Sequence, residues 1–97
     1  MITVNFYTVL RLYLKLREIQ IDSIQEAPVL EVLQKSEAIV LEKTSQKFLF
    51  KLLDEDGNIK QGTIILINGK NVLDTNGLDV VVKDGDTLAL FPPGAGG

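Results

Sequence analysis

Asn68 and Gly69 sit inside the run TIILINGKNV, residues 63–72. Both residues accept φ > 0, so the pair forms a two-residue turn whose twist suits two antiparallel strands. Few other short stretches limit the fold as strongly, because the turn sets both the direction and the register of the residues around it. Apolar residues occupy both parities of the incoming strand, Ile64 and Leu66 against Ile65 and Ile67. That pattern predicts a strand partly covered on both faces. Downstream, LDVVV (78–82) is a short strand or a collapsed loop, and KDGD (83–86) is a turn. TLALF (87–91) is a last strand, with Leu88 and Leu90 on one parity and Ala89 and Phe91 on the other.

The beginning of the chain alternates in the same way. Ile2, Val4 and Phe6 interleave with Thr3, Asn5 and Tyr7, a period of two that reads as a strand with one core face. EIQID (18–22) alternates again, so residues 2–22 suggest an antiparallel hairpin, with residues 11–16 as a connection or strand extension. Pro28 then stands where a first helical residue tolerates a missing N–H. Val29, Leu30, Val32 and Leu33 supply a helical apolar stripe that weakens through Ala38–Leu41. KFLFKLL (47–53) fits both periods and is read as a helix leading into a short extended piece. DEDGN (54–58) is a turn. A calcium loop would need a ligand five residues before its glycine, and that position is Leu52.

The predicted order is strand, strand, helix, strand, short strand, strand. A helix leaving a hairpin must return over its apolar face, which makes the class α+β. A helical crossover also lets the first and last strands lie side by side in parallel. The expected architecture is therefore a β-grasp: a mixed sheet of about four to five strands with a helix on one face. It would occupy residues 1–91, followed by a flexible tail, 92–97.

Composition narrows the chemistry. Ninety-seven residues make one domain with a modest core. The chain has no cysteine and no histidine, so thiol nucleophiles, disulfides, zinc ligands and most acid–base arrangements have no residues to use. A net charge of −3 argues against nucleic-acid and membrane-surface binding. The opening MITVNFYTVL has no basic leader region and no small-residue cleavage site. A cytoplasmic protein is the expectation.

The tail is FPPGAGG, Phe91 to Gly97. Together with INGKNV and NGLDVVVKDGDTLALF, it resembles the ubiquitin-like sulfur carriers, which place an Asn-Gly turn, a D-G-D turn and a last strand ahead of a terminal Gly-Gly. The FPP is closer to the small subunit of molybdopterin synthase than to the thiamine-pathway carrier, and MITVNFYTVLR resembles that subunit's opening strand. Gly94-Ala95 departs from the Val-Ser or Val-Thr common there.

The resemblance implies that a ubiquitin-activating-type enzyme uses ATP to adenylate the Gly97 carboxylate. Sulfur then replaces one oxygen, and the molybdopterin synthase large subunit uses the thiocarboxylate. No cofactor is bound by the chain itself. Gly96 and Gly97 lack Cβ, which suits entry into a narrow channel. Pro92 and Pro93 stiffen the base of the tail, with Gly94 and Ala95 following. Tyr7 and Phe91 fall on the non-core parity of neighbouring strands and would form an apolar docking patch, or else pack under a loop. Asp84 and Asp86 flank Gly85 and read as turn residues. A carrier for thiamine or another product, a protein modifier conjugated through Gly97, and a β-grasp binding module that never uses its tail stay open. A Gly-rich end is also often merely a disordered terminus.

Overall fold

A computed structural model describes residues 1–94. Strand β1 (Ile2–Phe6) leads into helix α1 (Thr8–Leu14), then β2 (Glu18–Ile21) and β3 (Glu26–Pro28). Helix α2 (Val29–Thr44) follows, and after a connecting segment come β4 (Ile64–Ile67), β5 (Lys70–Asn71), β6 (Val81–Lys83) and β7 (Thr87–Phe91). Five strands form one mixed sheet in the order β2-β1-β7-β4-β5, and β3 pairs with β6 in a second, two-stranded sheet. The first and last strands pair in parallel, with Val4 beside Leu88 and Phe6 beside Leu90. This is the expected β-grasp.

The alternation of β1 and β7 translates directly into burial. Ile2, Val4, Phe6, Leu88 and Leu90 are all fully buried. Helix α2 packs over this face with Val29, Val32, Leu33, Ser36 and Val40 turned inward. That is an i, i+3, i+4, i+7, i+11 stripe. Its one polar member explains why the pattern fades in the sequence. The Ser36 hydroxyl donates 2.7 Å to the Val32 carbonyl inside the helix, so the serine is buried without an outside partner. The helix therefore runs past Leu41 to Thr44. Pro28 stands just before it as the cap, and the Val29 N–H donates 2.8 Å to the Val80 carbonyl.

Residues 11–16 are corrected. They hold most of a helix, α1, rather than a strand extension. Leu10, Leu12, Leu14 and Leu16 alternate as if in a strand, yet Leu10 and Leu14 are buried while Leu12 is 74% exposed. That is the i, i+4 relation of a helix. The hairpin expected of residues 2–22 is therefore an antiparallel β1–β2 pair joined through a helix. The segment 47–53 contains only a short 3-10 turn, Leu49–Lys51, followed by a single bridge between Leu53 and Ile59. The Glu37 carboxylate fastens it, accepting from the N–H groups of Phe48 at 3.0 Å and Leu49 at 2.9 Å. Phe48 is thereby held edge-on to Phe6, ring centres 5.4 Å apart, in the core. The run 78–82 divides between a 3-10 turn, Gly77–Asp79, and β6.

The turns are where the sequence puts them. Asn68 and Gly69 adopt φ of 50° and 87°, the left-handed pair that a tight hairpin requires. Asn68 also accepts from the Thr87 N–H at 2.9 Å and donates 2.8 Å to Asp86, whose other oxygen accepts from the Lys83 N–H. Asp86 thus ties the two turns together, and Asp84 pairs with the Met1 α-amino group. In DEDGN, Asp54 accepts from the N–H groups of Asp56 and Asn58.

Candidate functional site: the root of the C-terminal tail

β7 lies between β1 and β4, so backbone bonding on both sides holds the strand that leads to the tail. Its core-facing residues are Leu88 and Leu90; Ala89 and Phe91 face away from α2. The parallel register that sets Phe6 beside Leu90 brings Tyr7 beside Phe91, and the Tyr7 N–H donates 3.1 Å to the Leu90 carbonyl. The two rings stack face to face, centres 4.6 Å apart and planes 8° from parallel. Each shields the other, so both are half-buried rather than open.

Two neighbours escape a reading of the sequence alone. Ile64 pairs directly with Phe91 across β4 and is 41% exposed, which extends the apolar surface by one strand. Its parity, shared with Leu66, was the available signal once the antiparallel pairing was granted. Arg11 lies one helical turn after Tyr7, with its guanidinium carbon 5.8 Å from the Tyr7 ring centre. That position is visible only if residues 8–14 are known to be a helix.

The tail does not leave the body immediately after Phe91. Pro92 is buried and Pro93 half-buried, so the first two residues of the segment expected as a flexible tail, 92–97, pack on the body. Pro93 faces the turn at Gly62, where a side chain would meet its Cβ at 3.5 Å. The two prolines line one side of a shallow groove of about 290 Å³ whose other walls are Val9, Phe50, Lys51 and Lys60. Phe50 is 56% exposed there. Gly94 is exposed, and a side chain there would touch nothing within 4 Å. Ala95, Gly96 and Gly97 lie outside the described residues. Among the described residues no cluster of acidic side chains has the form of a metal site, and no helix is long and apolar enough to cross a membrane.

The body thus holds its last strand centrally, with a stacked aromatic pair at the end of it. A family model covering such chains matches residues 10–97, from α1 to the final glycine. The chain belongs to the ThiS family. This is a family of ubiquitin-like sulfur carriers and modifiers. A stretch of 45 residues is 42% identical to small archaeal modifier protein 3 of Haloferax volcanii, covering 46% of this chain and 49% of that protein. Another, of 58 residues, is 36% identical to a candidate sulfur carrier of Archaeoglobus fulgidus, covering 60% of this chain and 66% of that one. The matches therefore span about half to two thirds of those relatives. The crystal structure of the Amycolatopsis orientalis BexX/CysO complex contains a chain similar over its whole length, at 26% identity and a TM-score of 0.73, with 100% of both chains covered.

Proposed function

We propose that this chain is a sulfur carrier whose reactive group is the carboxylate of Gly97, and that it serves as the small subunit of molybdopterin synthase. The observation that carries the reading is the combination of a family match running through Gly97 with a central β7 leading toward it. A body held rigid through Pro93 can dock outside a partner while the remaining residues reach in. The four residues after Pro93 extend over roughly 13–14 Å.

In this chemistry an adenylating enzyme supplies ATP. A Gly97 carboxylate oxygen attacks the α-phosphorus, pyrophosphate leaves, and an acyl adenylate results. A sulfur nucleophile then adds to the carbonyl and AMP departs, so sulfur has replaced one oxygen. The large subunit of molybdopterin synthase consumes the thiocarboxylate. Every bond change is at the chain end, so a protein without cysteine or histidine is sufficient for the task. The apolar surface of Tyr7, Phe91 and Ile64 is the docking face, and Gly94–Gly97 form the part that enters. Pro92, being buried, acts from behind as a support. In this reading the chain binds no cofactor and works in the cytoplasm.

What favours the molybdopterin branch is the FPP before the tail. A second reading, conjugation to target lysines through Gly97, is supported by the similarity to small archaeal modifier protein 3. ATP–pyrophosphate exchange by the adenylating enzyme of the same organism tests the common core. Exchange should require Gly97, and undiminished exchange after its deletion would sink the reading. Intact mass of the protein from its native host then separates the branches. A gain equal to one oxygen replaced by sulfur indicates a carrier, whereas isopeptide conjugates that vanish with Gly97 indicate a modifier.

A further inference from the structure

Pro92 and Pro93 share their groove with two lysines, Lys51 and Lys60. Lys60 is fixed beside the root of the tail. Its N–H donates 2.9 Å to the Leu52 carbonyl, and its own carbonyl accepts from the Thr63 N–H at 3.0 Å. These bonds hold the turn 60–63, which carries Gly62 against Pro93. Gly62 is two residues on from Lys60, at most about 7 Å away along the chain. Lys51 is engaged elsewhere. Its Nζ stands 4.3 Å from the Tyr13 ring centre and 5.3 Å from that of Phe50, an attraction it would forfeit by reaching for the tail. Lys70 and Lys83 lie by the start of β7 instead. Lys70 pairs with Ile67, which pairs with Leu88, whereas Ile64 pairs with Phe91. Lys83 precedes the turn that opens β7.

We propose that Lys60 is the acceptor of this chain's own activated carboxyl, so that an acyl adenylate with no partner closes into an internal lactam. The proposal rests on the carrier reading above. The Lys60 Nζ, as the amine, adds to the Gly97 carbonyl carbon. AMP leaves from that carbon, and the proton lost by nitrogen goes to solvent. A C–N bond replaces a C–O bond, and nothing is oxidised or reduced. Reach permits the closure. The four residues after Pro93 extend over roughly 13–14 Å, and a lysine side chain adds about 6 Å. The gap between the Cα atoms of Lys60 and Pro93 is at most about 12 Å, because Gly62 meets Pro93. A side chain at Gly94 would touch nothing within 4 Å, so there is space for the chain to turn back. A nucleophile tethered this closely acts at an effective concentration on the order of millimolar. Lys60 therefore outcompetes the lysines of other molecules at micromolar protein. A partner that threads the tail removes it from Lys60, so the lactam consumes only tips that no partner has taken.

The test is intact-mass analysis of the full chain after incubation with the organism's adenylating enzyme and ATP, with no sulfur donor present. The chain should lose the mass of one water in an ATP-dependent reaction whose fractional yield does not change with carrier concentration. Peptide mapping should join the Lys60 side chain to Gly97. Lys60→Arg should lower the yield at least about tenfold while leaving ATP–pyrophosphate exchange unchanged, and Lys51→Arg should change neither. An ATP-dependent water-loss product that persists in Lys60→Arg, or maps to another residue, would overturn the proposal. So would a yield that falls only in step with exchange, or ATP consumption that returns only the original mass, which means hydrolysis. A product of two chains less one water would overturn it too, since the acceptor would then be another molecule. Absence of exchange with the natural chain would instead overturn the carrier reading, and the lactam with it.

Discussion

Thr8 holds φ at +52°, in the left-handed region that a β-branched residue seldom occupies. The chain uses it to turn from β1 into α1 directly beside the Tyr7–Phe91 stack. Such a conformation costs about 1–3 kcal/mol, and glycine avoids most of it while adding about 0.5–1 kcal/mol of its own entropy cost. Thr8→Gly should therefore stabilise the fold by about 1 kcal/mol. Thermal melting would show this as a rise of about 4–8 °C for a domain of this size; a lower Tm would mean that the threonine is relaxed where it is. Phe91 is the other residue whose replacement is informative. If it is a hot spot, truncation costs at least about 2 kcal/mol of binding. Phe91→Ala should then weaken the complex with a molybdopterin synthase large subunit by about thirtyfold or more. Asp56→Ala, in the Asp54 turn, should do almost nothing. Calorimetric titration of both variants decides the matter, with a parallel titration into the thiamine pathway's thiazole-forming enzyme to expose the competing branch.

At the scale of elements, α1 is the instructive case. Leu10, Leu12, Leu14 and Leu16 would all share one face of a strand, whereas a helix separates Leu12 from Leu10 and Leu14. Leu14 is 2% exposed. Leu14→Ala should cost about 2–5 kcal/mol through cavity formation, and Leu12→Ala should stay within about 0.5 kcal/mol. Urea denaturation of the pair measures the difference, and equal losses would restore the strand. The helix matters to the site because it carries Val9 toward Pro92 and Pro93 on one flank and Arg11 toward Tyr7 on the other. The connecting segment contributes in the same way. Glu37 ties down Phe48 and Leu49, and Phe50 next to them becomes a wall of the groove beside the tail root.

On the proposed reading, the molecule as a whole divides labour between a packed body and a reactive end. Packing on the body is seen through Pro93, and Gly94 is already exposed with open space around it. Gly96→Val should therefore block processing by a partner, because the added bulk meets the partner's channel. The Tm of the variant should match that of the natural chain. A loss comparable to a core cavity, about 2–5 kcal/mol, would show that the tail is packed on its own domain. Both readouts are needed, since a domain of this size has only about 5–15 kcal/mol in reserve and any large destabilisation would imitate a loss of function.

Features that depend on adjacent residues were legible in the sequence. The Asn68–Gly69 turn, the turn around Gly85 and the alternation of β1 and β7 follow from local backbone preference and a period of two. The parallel pairing of the end strands followed from a single helical crossover. Tyr7 and Phe91 were half legible: parity and pairing set them side by side, but the stack and its mutual shielding depend on where two rings meet in space. Helix α1, the small β3–β6 sheet, the burial of Pro92 and the placement of Arg11 over the Tyr7 ring were not legible. Each is decided by what distant segments place around it. A seven-residue helix carries too little periodicity to outvote four alternating leucines. A three-residue strand exists only because residues 81–83 come to meet it. Arg11 meets the Tyr7 ring only because residues 8–14 coil into a helix beside β1, and that is decided by the tertiary structure alone.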